Sequence, residues 1–216
     1  MRYGKLTLYV GPMFAGKSTK LLQEYNKVKR AQYTSSLLVK PIIDNRYSEN
    51  EVVTHNGLGE SCYVVKTLSE MFSAPWFRTK ADRFEREKAS DLYAMQVFID
   101  ECHFFEDLVP SLKGLLMMGI DVFCAGLNLT SEGKVFANME GAFGLADKVQ
   151  VFYGCCSRCL GKSKYTIRKF SDDRECLVGG SDLYEPVCGS CFVNWQRERA
   201  ERAATKTATR ESGFSS

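Results

Sequence analysis

The chain has 216 residues, 44% of them hydrophobic, enough for one good-sized domain with an appendage and a buried core. Its 29 basic and 26 acidic residues are mixed along the sequence and leave a formal net charge of +3, so the one-sided excess of a dedicated nucleic-acid binder is absent and no nucleic-acid partner is expected. No stretch approaches the roughly 18 apolar residues of a membrane span, and Met1 to Gly11 lacks the long apolar core and cleavage site of a signal peptide. No membrane partner and a cytoplasmic location are therefore expected.

In chain order, Lys5 to Val10 (KLTLYV) is a short apolar strand running into Gly11. From Ser18 the pattern turns helical, with Leu21, Leu22, Tyr25 and Val28 on one face. Between them, Gly11-Pro12-Met13-Phe14-Ala15-Gly16-Lys17-Ser18 fits G-x-x-x-x-G-K-[ST] in full, and Thr19 follows. The glycines let backbone N–H groups turn inward around the polyphosphate of ATP, and the helix N-terminus adds its positive dipole end. Lys17 reaches the terminal phosphates, and Ser18 supplies a hydroxyl to Mg²⁺. The competing reading, an incidental glycine turn, does not account for a strand and a helix both in register with the motif.

Ser36 to Lys40 predicts a second strand, Ala74 to Tyr93 a charged surface excursion, and Val97 to Asp100 (VFID) a third strand. A phosphate loop needs a carboxylate at the tip of a neighbouring strand for its magnesium shell, and Asp100 is that candidate. Glu101 follows at once, placed to accept the proton of an attacking hydroxyl. Glu106 to Met118 reads as a helix, Asp121 to Ala125 as a fourth strand and Lys148 to Tyr153 as a fifth. Strands alternating with helices imply an α/β fold: a P-loop NTPase-like parallel sheet flanked by helices, over residues 1–153.

Beyond Tyr153 the composition shifts to cysteine, glycine and charge, predicting a small lobe over 154–195. Such a lobe is too small to be held by core burial alone. Cys156 and Cys159, then Cys188 and Cys191, form two C-x-x-C pairs separated by 28 residues. Four thiolates so spaced close a tetrahedral shell around Zn²⁺ with no open position, which makes the zinc structural. Cys155 competes for the first position, but only Cys156 completes the two-residue gap. Cys62, Cys102, Cys124 and Cys176 have no such partner and are expected to pack as small apolar residues, while His55 and His103 read as loop or core histidines. The tail, 196–216, begins with helix-compatible charge and ends in small polar residues, so disorder is expected in its last part.

Taken together, GPMFAGKST at 11–19, DNRY at 44–47, THNG at 54–57, FIDECHFF at 98–105, AGL at 125–127, the cysteine pairs and GGSDLY at 179–184 resemble the type II, cellular and viral, thymidine kinases. The resemblance runs in order from about Gly4 to Phe192. It implies transfer of the γ-phosphoryl of ATP to the 5′-hydroxyl of thymidine, or deoxyuridine, for pyrimidine deoxynucleotide salvage and DNA synthesis. It also implies that Glu101 is the general base, that Asp44 and Arg46 serve the nucleotide side with Asp100, and that the protein is a homotetramer. The segment between the cysteine pairs becomes a lasso over the base, with Leu177, Val178 and Gly179 in its backbone contacts and Tyr184 as its tyrosine. Phe104 and Phe136 match pocket aromatics. Asn128 and Ser131 depart from the pattern, which has GLD and then a phenylalanine four residues after the leucine. A rival reading, a P-loop ATPase whose zinc lobe binds DNA or RNA, requires a basic lobe. Here Arg158, Lys162, Lys164, Arg168, Lys169 and Arg174 are offset by Asp172, Asp173, Glu175, Asp182 and Glu185.

Overall fold

A computed structural model describes residues 2–31, 34–44, 48, 50–53, 57, 59–87, 94–170 and 178–212. Its centre is a six-stranded sheet of β1 (Leu6–Val10), β2 (Thr34–Pro41), β5 (Tyr63–Val65), β6 (Ala94–Ile99), β7 (Asp121–Gly126) and β8 (Lys148–Val151), in the order β5-β2-β6-β7-β1-β8. Every neighbouring pair runs parallel, as strands alternating with helices require. The apolar runs of the sequence fall on five of these strands, with ends shifted by one to three residues.

The inner strands β1, β2, β6 and β7 are largely buried on both faces while the edge strand β8 is mostly exposed, and the period of two divides the core. Leu6, Leu8 and Val10 of β1, Leu37 and Val39 of β2, and Val97 and Ile99 of β6 point to one side. There they meet α2 (Leu68–Ser73), α3 (Pro75–Glu87), α4 (Leu108–Met117) and α5 (Ala137–Leu145). Tyr9, Leu38 and Phe98, the alternate residues, face Leu21, Leu22 and Tyr25 of α1 (Lys17–Lys29). Phe98 stacks on Phe123 at 4.8 Å and meets Tyr25 edge-on at 5.4 Å. A short hairpin of β3 (Glu51–Val53) and β4 (Gly59–Ser61) adds Val52 to that side.

Two expectations need correction. The segment from Ala74 is not a surface excursion: α3 buries Phe77, Ala81 and Phe84, spaced i, i+4, i+7, in the main core. Residues 88–93 lie outside the described residues. The tail over 196–212 continues α6 (Gly189–Ser212), so the boundary at 195 falls inside one helix, and residues 213–216 lie outside the described residues. Trp195 there is buried and stacks on Phe192 at 5.8 Å, anchoring the first turns from which the helix propagates.

The lobe consists of the two-residue pair β9 (Gly154–Cys155) and β10 (Lys162–Ser163), the antiparallel pair β11 (Tyr165–Arg168) and β12 (Tyr184–Val187), and the start of α6. Cys156, Ile167, Val187, Phe192 and Trp195 form its small core. It is fastened to the larger unit through the phosphate loop, where the Met13 N–H donates to Thr166 Oγ1 at 2.9 Å in a buried bond. Among the described residues, no helix is long and apolar enough to cross a membrane.

Candidate active site and cysteine cluster

The loop between β1 and α1 is shaped by two glycines. Gly11 has φ 151, and a Cβ there would lie 2.3 Å from the Phe152 carbonyl oxygen; Gly16 has φ 83 with open space around it, so only its backbone demands glycine. The buried Lys17 folds back across the loop, its Nζ donating to the Pro12 carbonyl at 2.7 Å. Phe14, at φ 61, is a second left-handed residue of the loop. Thr19 continues α1.

Asp100 follows the end of β6, and its N–H still bonds the Val39 carbonyl at 2.9 Å. Its Oδ1 accepts the Ser18 hydroxyl at 2.9 Å, joining the two groups read as magnesium-shell residues. Burial, then the charge of Glu101, pushes Asp100 up to about 7, while the Ser18 hydroxyl pulls the other way. A divalent cation at that spot would favour the carboxylate. Asp44 is buried, and its charge also raises Asp100. Arg46 lies outside the described residues.

Glu101 adopts φ 47 and ψ 41, the left-handed region, where a residue with a Cβ carries strain of about 1–3 kcal/mol. It opens a 3-10 turn, Cys102–Phe104, and lines a cavity beside the loop. Phe104, Phe136, Val178, Gly179 and Tyr184 line it, while Leu177 lies outside the described residues. Ser131, nine-tenths buried, is in the wall with Thr130; Asn128 is not among the lining residues.

The cavity also takes in residues not expected in its wall. Met13 contributes a wall as well as a loop amide, and Thr166 and the buried Arg168 come from β11. His103 is a lining residue, with its ring 4.2 Å from Phe104 and 4.9 Å from Phe136. Thr166 and Arg168 could have been suspected only from the alternation of β11, which sends both toward one face.

Cys156, Cys159, Cys188 and Cys191 converge, every sulfur within 4.8 Å of the others, and Cys159 Sγ lies 3.5 Å from Cys188 Sγ. Tetrahedral zinc thiolates require sulfurs about 3.8 Å apart, so this donor set fits that ion. Cys155 points elsewhere, to the Leu160 carbonyl at 3.5 Å. The Cys156 thiol, although burial raises it, is drawn down to about 6 by N–H groups of Cys188, Arg158 and Cys159, whereas the Cys188 side chain pushes Cys191 up to about 12. Cys102 and Cys124 are buried and packed in the main core, and Cys62 is half-buried. Cys176 and His55 lie outside the described residues.

A glycine loop holding a lysine across it, backed by an acid that already bonds the loop serine, belongs to the P-loop class of nucleotide-binding proteins, here with a cavity alongside. Comparison with known proteins narrows the class. The profile of the thymidine kinase family matches residues 4–192. A thymidine kinase of Pseudothermotoga lettingae is 32% identical over 191 residues, spanning 88% of this chain and 95% of that protein. Those of Bacteroides thetaiotaomicron (29%, 93% of each chain) and Metamycoplasma arthritidis (28%, 92% of this chain and 95% of that protein) are similar. The chain belongs to the thymidine kinase family.

Proposed function

We propose that the protein transfers the γ-phosphoryl of ATP directly to the 5′-hydroxyl of thymidine, with Glu101 as general base. The carrying observation is that one cavity is walled by the phosphate loop (Met13), the residue after the strand tip (Glu101) and the lobe (Val178, Gly179, Tyr184). A nucleoside held there meets the loop end-on. The loop amides from Gly11 to Ser18 and the Lys17 ammonium hold the transferring phosphoryl group and spread its charge. Magnesium bound by Ser18 and Asp100 supplies charge neutralisation when present. Glu101 takes the hydroxyl proton, and Phe104, Phe136 and Tyr184 enclose the base. Backbone at 178–179 offers N–H and C=O groups to the O2, N3–H and O4 edge of a pyrimidine, a pattern that cytosine reverses at positions 3 and 4. Closure of this wall excludes water and limits idle hydrolysis of ATP.

In this reading Cys156, Cys159, Cys188 and Cys191 hold one structural zinc. It pins both ends of the segment that covers the base, in a lobe whose core has five buried residues among those described. A nucleotide-binding unit over 1–153, a cysteine lobe that begins at 154 and runs into α6, a cytoplasmic location and a homotetramer complete the proposal. An ATP phosphorylation assay over the four deoxynucleosides and deoxyuridine tests it. Thymidine and deoxyuridine are expected to be accepted; activity on deoxyadenosine or deoxyguanosine with none on thymidine refutes it.

A further inference from the structure

The strained conformation of Glu101 raises the question of what holds it, since such conformations persist only where the surroundings over-determine them. The turn it opens is closed by two local bonds, Phe104 N–H to the Glu101 carbonyl at 3.1 Å and Phe105 N–H to the Cys102 carbonyl at 3.2 Å. Two long-range contacts then fix the turn in space. On one side the Leu127 N–H, just past β7, donates to His103 Nδ1 at 3.2 Å. On the other, Asn138 at the start of α5 donates both amide hydrogens, to the carbonyls of His103 at 2.7 Å and Phe105 at 2.8 Å.

These two partners have different tasks. The His103 ring lies between Phe104 and Phe136, and its Nδ1 is 3.5 Å from Glu101 Oε2. Because Nδ1 accepts from Leu127, the ring's position is set by the backbone at the end of β7, the strand that also carries Gly126 against the turn, where a Cβ would stand 2.7 Å from Cys102 Sγ. The Asn138 amide spans two carbonyls of one turn, a geometry that a single-donor side chain does not reproduce. We infer that Asn138 and His103 are positioning residues that together lock the Glu101–Phe105 turn, so that Glu101 is kept in its left-handed conformation with the carboxylate in the nucleoside cavity. Neither is assigned contact with the reacting atoms. The inference rests on the reading of Glu101 as the base.

The test is steady-state kinetics on the full chain for Asn138→Ala, His103→Asn and His103→Leu, each also made in a Glu101→Gln background, with thermal melts to confirm folding. Asn138→Ala removes two hydrogen bonds from the turn and is expected to lower kcat about tenfold, with KM for ATP unchanged. His103→Asn keeps an acceptor near the Nδ1 position and is expected to lose less kcat than His103→Leu, which loses about tenfold. In the Glu101→Gln background none of the three should lower kcat further, because residues acting through one group are not additive with its loss. Full kcat in folded Asn138→Ala, or an undiminished tenfold loss in the Glu101→Gln background, overturns the inference while leaving the base in place. Full turnover by Glu101→Gln alone overturns the base reading and this inference with it. If Asn138→Ala fails to fold, the contrast between His103→Asn and His103→Leu decides, and equal kcat for those two counts against the lock.

Discussion

Thr166→Val should loosen the phosphate loop from the lobe without changing side-chain volume. Thr166 is 4% exposed, and its Oγ1 is the acceptor for the Met13 N–H at 2.9 Å. Valine puts a methyl in place of that oxygen and leaves a buried backbone donor unpaired, which costs about 1–3 kcal/mol. Taking about 2 kcal/mol, and about 2–4 °C of melting temperature per kcal/mol for a chain of this size, the variant should melt about 4–8 °C below the parent. Thr166→Ser keeps the hydroxyl and loses only a methyl, so it should recover most of the difference. Differential scanning calorimetry of the three proteins, with the metal content held equal, makes the comparison. The loss should be accompanied by a higher KM for ATP in the valine variant, because the unfastened amide belongs to the loop. A valine variant that melts within about a degree of the parent would refute the reasoning, since Met13 would then have another acceptor.

Glu101→Gln should keep ATP and thymidine affinity close to the parent's and lower kcat by about two to four orders of magnitude, as measured by initial rates and nucleotide titration; normal turnover would move the base role to another acid, with Asp44 the next to test. Cys188→Ser should lower zinc from one ion per chain by elemental analysis and weaken thymidine binding while ATP still binds, whereas Cys155→Ser should do neither; loss of metal from the latter would show the ligand set to be misassigned. Asp107, just before α4, accepts the N–H groups of Leu68 at 3.0 Å and Ser69 at 2.7 Å and the Ser111 hydroxyl at 3.2 Å. Burial raises its carboxyl, but these donors together hold it below the ordinary 3.8. Its contribution is therefore present above that value and lost as pH falls through the lower folded value. Asp107→Asn should cost about 1 kcal/mol at pH 7 after allowance for solvent screening, and the gap to the parent should close below about pH 4; an unchanging gap in urea melts would remove the charge from the explanation.

What could be read from the residues alone follows the range of the interactions involved. The phosphate loop was legible because glycine, lysine and serine act on their own backbone within eight residues, and five sheet strands because they read as short apolar runs between helical or glycine-rich stretches. The three-residue strands β3, β4 and β5 were not, since they are too short to show alternation. The helix α3 was hidden because Phe77, Ala81 and Phe84 are diluted by seven charged residues among thirteen. In the site, Glu101 could be proposed from its place after Asp100, but His103 read as an ordinary core histidine. Its partners lie 24 and 35 residues away, and no local pattern announces that Leu127 or Asn138 reaches the same turn.

The backbone at Glu101 sets this position at odds with itself under different selection pressures. Asn and Gly enter the left-handed region far more readily than Glu does, so a library screened only for resistance to heat should drift toward those residues at position 101. A library screened for turnover should retain the acid despite its conformational disadvantage. Redesign guided by stability alone would therefore put this protein at risk at the residue where folding and chemistry prefer different side chains.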